Sequence, residues 1–322
     1  MRHLTDPVAG GTVCYLSLQN PCNASCPMCL SWRDNSTLQG LPVAELIREL
    51  ARQHWDTIMF TGGEFVTFPG AAELLAVVQE LRMNIGFITN GTALTSQYRA
   101  LLARLQIRKV ILSRDFPDAG QHAQWRQLPE FSDADIRDVL TRLADDGTYV
   151  QVNTVLMPSN ADRLADFPDV EFWPVVDAWH LIPVKGPIAR GWSDALRAAA
   201  RRALDSLRVN GLTYFVVGPS FFHAPIEDVR ASRPTEQAVR GRTCQVERSQ
   251  IYVDASGEVL PCNSIAWECR KTVGFGNLNN TAPADILRRR ALALATNHNA
   301  ARVGCHACDP LNMLHNDIVS GQ

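Results

Sequence analysis

Three thiols lie within eight residues in Cys22-Asn23-Ala24-Ser25-Cys26-Pro27-Met28-Cys29, with three and then two residues between them. Three thiolates can each take one iron of a [4Fe–4S] cube. The fourth iron then stays open to a ligand that the protein does not supply, as a catalytic metal keeps a position for substrate. The loop has no fourth cysteine of its own, which suggests a catalytic cluster rather than an electron store. A zinc loop and stray reduced thiols are the alternatives that the spacing alone leaves open. Thirty-odd residues on, Gly62-Gly63-Glu64 closes a short apolar run. Two residues without side chains let backbone approach a ligand closely, and a carboxylate can accept hydrogen bonds from an ammonium group.

CxxxCxxC at the end of an N-terminal strand, with Gly-Gly-Glu after the next strand, resembles the radical S-adenosylmethionine (SAM) superfamily. The resemblance implies that Cys22, Cys26 and Cys29 hold a [4Fe–4S] cluster whose open iron chelates SAM. One electron from the reduced cluster then breaks the C5′–S bond, and a 5′-deoxyadenosyl radical abstracts hydrogen from substrate. That chemistry belongs to the cofactor; the protein binds, orients and excludes water. A flavodoxin- or ferredoxin-type donor is implied as the electron source. Gly62, Gly63 and Glu64 would hold the methionyl amino group of SAM. The family commonly has proline next, where this chain has Phe65. Ser113 and Asn153 match polar strand residues that bind the SAM carboxylate or ribose in relatives. Arg126 matches a downstream arginine that pairs with the SAM carboxylate. Ordinary strand-end polarity and a surface arginine are the plainer readings of these three residues. Asn90, in Thr89-Asn90-Gly91, reads as a further SAM contact or simply as a turn residue.

The tail carries Cys244, Gly257 and Cys262, then Cys305-His306-Ala307-Cys308. Asp254-Ala255-Ser256-Gly257 between Ile251-Tyr252-Val253 and Glu258-Val259-Leu260 signals a hairpin that would bring its flanking cysteines together. Four thiols would complete a closed, electron-transfer type of cluster, with structural zinc as the alternative. The order of these residues is similar to the start of the SPASM/twitch extension of radical SAM enzymes. That likeness implies one auxiliary [4Fe–4S] cluster on Cys244, Cys262, Cys305 and Cys308. Cys269 is left over: an extra ligand, a hydrogen-atom donor or inert. Cys14, inside a strand pattern, reads as a small buried hydrophobe.

The rest of the chain must position these groups. Its 322 residues are 46% hydrophobic and 20% charged, ordinary for a globular protein with a sizeable core. A net charge of -2 gives no electrostatic case for nucleic acid or an anionic membrane. No apolar run approaches the ~20 residues of a membrane span. The N-terminus lacks the apolar core of a signal peptide, so nine cysteines suggest metal ligation in the cytoplasm rather than a disulfide scaffold.

Periodicity predicts strands over 12–18, 57–60, 85–89, 110–113, 149–156 and 175–183. Helices are predicted from Pro42, over 71–82, over 94–105, after Ser132 and over 193–208. Strands alternating with helices require a parallel sheet with crossovers. Six units fall short of a full (β/α)8 barrel. The resemblance implies an α/β fold: a partial (β/α)6 TIM barrel with its site at the C-terminal ends of the strands and a small C-terminal iron–sulfur extension. The expected divisions are 1–217 for the barrel, 218–243 for a linker or lid, and 244–322 for the auxiliary cluster domain. Side chains of Trp173, His180 and Lys185 near strand six would point into the barrel mouth and could bind a polar substrate; a satisfied histidine and a solvated lysine are the plainer readings.

Three functions fit. The first is a radical SAM enzyme acting on a small polar natural product. The tail, the Val-Asn-Thr-Val strand and the Lys185 region look similar to sugar-nucleoside enzymes such as cytosylglucuronate decarboxylases and to aminoglycoside dehydrogenases and epimerases. Decarboxylation, dehydrogenation or epimerisation would follow hydrogen abstraction. The second is a SPASM-type peptide maturase. Those enzymes often carry an N-terminal recognition domain, and only about twenty residues precede Cys22 here. The third is not an enzyme: an iron–sulfur electron carrier or zinc module, which the missing fourth cysteine and the Gly-Gly-Glu motif disfavour.

Overall fold

The computed structural model describes residue 6 and residues 11–29, 34–95, 98–128, 132–209, 214–216, 219–231, 246–262 and 274–295. Seven parallel strands run in chain order: β1 (Val13–Ser17), β2 (Thr57–Thr61), β3 (Asn84–Thr89), β4 (Ile107–Ser113), β5 (Tyr149–Leu156), β6 (Ala178–Pro183) and β7 (Phe215–Val216). Parallel neighbours need crossovers, and helices supply most of them. α1 (Gly40–Arg52) and α2 (Ala71–Glu80) link the first three strands, and α3 (Arg99–Leu102) precedes β4. Both α4 (Ala119–Arg126) and α5 (Asp133–Asp145) precede β5, and α6 (Asp194–Val209) precedes β7.

The apolar pattern of each helix explains its seat. Val43, Leu46, Ile47 and Leu50 of α1 are buried at helical spacing, as are Ile136, Val139, Leu140 and Leu143 of α5. They pack on the outward side chains of the strands: Leu16, Ile58, Phe60, Phe87, Leu112, Val152, Trp179 and Leu181. Each large side chain so buried contributes about 1.5–3 kcal/mol. Because strand side chains alternate, the other set faces inward. Val13, Met59 and Ile111 make a separate small cluster there, with Tyr15 and Ile88 against it. This inward face is the barrel lumen.

Three stretches differ from the sequence expectation or go beyond it. The helix expected over 94–105 is a 3-10 turn at Thr92–Leu94 followed by the four residues of α3, because Thr95 has extended backbone and stops the first piece. The crossover from β5 to β6, for which no element is predicted, is two 3-10 segments, Leu164–Asp169 and Trp173–Val175, each containing a proline. The stretch expected as a linker contains a 3-10 turn, Pro219–Phe222, and α7 (Ile226–Ala231).

The C-terminal hairpin forms as expected. After a short α8 (Val246–Ser249), β8 (Gln250–Val253) pairs antiparallel with β9 (Glu258–Leu260). Asp254 accepts hydrogen bonds from the Ser256 and Glu258 amides, and Gly257 takes a φ of +91° in the turn. β9 pairs in turn with β10 (Gly276–Asn277), and α9 (Pro283–Ala295) follows. The hairpin is not a detached appendage. β8 lies parallel to β1, with Tyr15 opposite Tyr252 and Leu16 opposite Val253, so the ten strands form one sheet. Cys244, Cys269, Cys305 and Cys308 lie outside the described residues. No helix among the described residues is long and apolar enough to cross a membrane.

Candidate iron–sulfur and SAM site

The cysteine loop leaves the C-terminal end of β1 and is fastened on two sides. On one side stands the Gly62–Gly63–Glu64 turn at the end of β2. Gly63 donates its N–H to the Gln19 carbonyl at 2.6 Å. A Cβ at Gly63 would stand 2.0 Å from the Pro21 carbonyl oxygen; at Gly62, where φ is +113°, it would stand 2.5 Å from the Gln19 carbonyl oxygen. The two glycines therefore let the turn sit against the backbone just before Cys22. Their close approach is first of all to the cysteine loop.

Glu64 is fully buried and turned onto the end of β3. Its carboxylate accepts from the Thr89 hydroxyl at 2.9 Å and the Asn90 amide at 2.8 Å. Burial pushes its pKa up to about 7, against the lowering effect of those two bonds and of Arg126. A carboxylate has lone pairs beyond the two used, so an ammonium reaching it would still find acceptors.

Asn90 ties the loop from above. Its Nδ2 reaches Asn23 Oδ1 at 2.9 Å and stands 3.7 Å from Cys22 Sγ, while its Oδ1 accepts from the Thr92 amide and hydroxyl. Asn90 thus bonds its own turn and the cysteine loop at once. Asn23 in turn donates to the Thr92 hydroxyl.

On the other side stands Arg126 at the end of α4. Its carbonyl accepts from the Ser25 amide at 3.2 Å, and its Nη1 stands 4.0 Å from Cys26 Sγ. Its Nε donates to Asp115 at 2.8 Å. Burial pushes the Cys22 thiol up to about 11 and raises that of Cys26, with the neighbouring thiols adding to the effect and Arg126 opposing it at Cys26. Cys22 and Cys29 are half-buried and Cys26 is buried. Among the described residues no three His, Cys, Asp or Glu side chains converge on one metal ion; thiolates that bind different irons of a cube do not share an ion. Three thiols on one loop, two of them approached by N–H donors, make a donor set that fits a cluster whose sulfurs need such bonds.

The inward faces of β4, β5 and β6 bring other groups into register. Ser113 lies opposite Asn153, and Asn153 opposite His180. One rung deeper, Gln151 Nε2 donates to Asn153 Oδ1 at 2.6 Å and contacts His180 Nδ1 at 3.1 Å. Burial, with Lys109 adding to it, pushes the His180 imidazole down to about 4, so it is neutral at pH 7. Lys109 is buried, pairs with Asp6 and lies over the Tyr149 ring. Cys262 is half-buried and packs with Tyr15, Tyr252 and Leu260.

One residue expected at the mouth is elsewhere. Trp173 is buried against Phe167 and Trp179 in the layer outside the sheet, because the 3-10 turn that carries it precedes β6. Lys185 is exposed at the start of a 3-10 turn, Gly186–Gly191. Cys14 is fully buried, as expected. Sequence reasoning missed Gln19, Asn23 and Thr89, whose polar types carry no motif. Gln19 secures the Gly-Gly-Glu turn, donating to the Glu64 carbonyl and to Thr67. Asp115 was also missed; a charged residue just past a strand end was its only signal.

The family model for the radical SAM superfamily matches residues 16–167, and that for the SPASM iron–sulfur cluster-binding domain matches residues 244–309. The chain is 24% identical to the AdoMet-dependent heme synthase of Nitratidesulfovibrio vulgaris over 315 residues, which cover 87% of this chain and 80% of that protein. It is 28% identical to the sporulation killing factor maturation protein SkfB of Bacillus subtilis over 166 residues, covering 48% of this chain and 38% of that one. Among solved structures, Streptococcus suis SuiB bound to S-adenosylmethionine superimposes with a TM-score of 0.61 at 12% identity, over 86% of this chain and 63% of its own. The structure of anSMEcpe with bound AdoMet gives 0.59 at 14% identity, over 87% and 82%. At such identities these structures share the fold. With both family models matched in sequence order, the chain is a radical SAM enzyme whose partial barrel is followed by a SPASM iron–sulfur extension.

Proposed function

We propose that the chain binds a [4Fe–4S] cluster through Cys22, Cys26 and Cys29, cleaves SAM there, and modifies a peptide as a SPASM-type maturase. The observation that carries the site reading is the Gly62–Glu64 turn seated on the cysteine loop, with Gly63 bonded to Gln19 and Asn90 aimed at Cys22. When bound, the cluster would supply SAM with the electron that releases a hydrogen-abstracting radical. The chain's own residues do the rest. Glu64 offers acceptor oxygens to the ammonium of SAM. Ser113 at the end of β4 and Asn153 beside it within β5 offer polar groups to its carboxylate or ribose. Cys244, Cys262, Cys305 and Cys308 are the proposed ligands of an auxiliary cluster. A flavodoxin- or ferredoxin-type donor in the cytoplasm would match such an electron requirement.

The peptide reading is supported by two likenesses. SkfB is named as a maturation protein, and SuiB has been solved bound to precursor peptide SuiA with a TM-score of 0.61 to this chain. A second reading is a small polar substrate that is decarboxylated, dehydrogenated or epimerised, sugar or nucleoside included. It is supported by the relative named for making heme, matched over 80% of its length. The polar wall of buried Lys109 and Gln151 and half-buried His180 also suits a compact polar ligand.

Anaerobic reconstitution followed by dithionite and SAM tests the shared core. The expected result is release of 5′-deoxyadenosine and about eight irons per chain, as two four-iron clusters require. A colourless protein that leaves SAM intact would overturn it. Mass spectrometry of a short peptide encoded beside the gene then separates the readings. A mass or stereochemical change in the peptide supports the maturase, and an unaltered peptide beside a consumed small molecule supports the second reading.

A further inference from the structure

The resemblance assigns Arg126 to the carboxylate of SAM, but its surroundings give it another partner. Arg126 is 8% exposed and closes α4. Its backbone carbonyl accepts from the Ser25 amide and lies 3.8 Å from Cys26 Sγ; its Nη1 is 4.0 Å from the same sulfur. Behind it, the Nε donates to Asp115 Oδ2 at 2.8 Å. Asp115 is fully buried and fixed from three sides. Its Oδ1 accepts from the Val155 amide of β5 at 2.9 Å, its own amide donates to His122 Nδ1 at 3.0 Å, and its carbonyl accepts from Asn160 Nδ2 at 2.8 Å. The order in space is therefore sulfur, guanidinium, carboxylate, strand. The anchored carboxylate fixes a cation with its positive end on a thiol of the cysteine loop.

We propose that Arg126, clamped by Asp115, is a positioning residue for Cys26 that holds the cysteine loop and raises the reduction potential of the cluster it carries. This rests on the cluster reading above. One-electron reduction by an external donor adds negative charge to the cube. A cation held beside a ligating sulfur stabilises that charge, and charge and hydrogen bonding at the sulfurs are established determinants of cluster potential. Burial keeps solvent from screening the interaction. Asp115 also offsets the cation's charge in part; an asparagine there keeps an oxygen for the Arg126 Nε while losing the charge, so Arg126→Gln and Asp115→Asn move the potential in opposite directions.

The test uses the reconstituted full chain as wild type, Arg126→Gln, Arg126→Lys and Asp115→Asn. Each is titrated with dithionite and followed by electron paramagnetic resonance, reading the reduced cluster whose signal changes when SAM is added. SAM affinity is measured separately by equilibrium dialysis. The expected result is a lowered midpoint in Arg126→Gln, a midpoint near wild type in Arg126→Lys and a raised midpoint in Asp115→Asn. An unmoved midpoint in Arg126→Gln together with weakened SAM binding would overturn the proposal and return Arg126 to SAM. Should Arg126→Gln fail to assemble a cluster, the other two variants decide: a lowered or unchanged midpoint in Asp115→Asn sinks the clamp. A wild-type protein without any cluster would overturn the underlying reading and the clamp with it.

Discussion

On the β1–β3 side of the lumen the inward side chains include Val13, Tyr15, Met59 and Ile88, and the cysteine loop above them is fastened through backbone, glycine and the Asn90 side chain. On the β4–β6 side they include Lys109, which pairs with Asp6, and Gln151, which bonds Asn153 and contacts His180. The first wall is mainly apolar within the lumen, with its polar side chains, Glu64, Thr89 and Asn90, gathered at the strand ends where the loop and the Gly-Gly-Glu turn meet. The second wall presents donors and acceptors that a substrate can read. On the proposed function, one side of the barrel would serve radical generation and the other would recognise what the radical meets.

The comparison breaks hardest at Gly63. Gly63→Ala places a methyl 2.0 Å from the Pro21 carbonyl oxygen, which is backbone and cannot turn aside. Overpacking of this kind costs about 1–3 kcal/mol. Here the strain falls on the residue before Cys22, so reconstituted iron and SAM cleavage should both collapse. Normal iron content in the variant would show that the loop does not depend on the turn.

Glu64 sharpens it next. Its folded pKa is raised from 4.5 to about 7, so between those values the unfolded chain has already lost a proton that the folded protein keeps. Stability is therefore fully present below about 4.5, falls as pH rises toward 7, and is flat above. By the usual conversion the loss is about 3 kcal/mol. Glu64→Gln should remove that slope. Urea midpoints at pH 5 and pH 8 check it: the wild-type midpoint should drop between the two, and the variant's should drop less.

The polar wall should answer differently and more mildly. Gln151→Leu removes the donor that faces Asn153 Oδ1 and His180 Nδ1, together with a buried acceptor, Gln151 Oε1, that has no hydrogen-bond partner. The cost to stability is about 1 kcal/mol. Cleavage of SAM in the absence of substrate should persist, while the yield of product per SAM falls. Equal loss of both would mean that the two walls do not divide the work.

The sequence makes the radical-generating wall legible because its chemistry is local. Cys22, Cys26 and Cys29 sit on one loop, and Gly62, Gly63 and Glu64 on one turn, so spacing alone names them. The alternation of Tyr149 to Leu156 and the cap at Ser132 are equally local, and β5 and α5 stand where the pattern puts them. What spacing does not carry is the partner of each group. The glycines serve the backbone near Pro21, Arg126 faces Cys26 and Asp115, and Trp173 turns away from the mouth. Each of those depends on residues distant in the chain. The short α3 was hidden because Thr95 outweighs a helical apolar spacing.

The pairing of β8 with β1 makes the first and last quarters of this chain neighbours. During synthesis, β1 emerges early and must keep a bare edge of amide and carbonyl groups until the hairpin arrives nearly two hundred and forty residues later. An unpaired edge of that kind invites other chains to add to it. The strand that launches the cysteine loop is thus shielded only when β8 has been made, and a chain cut short before that point keeps an adhesive flank beside the loop.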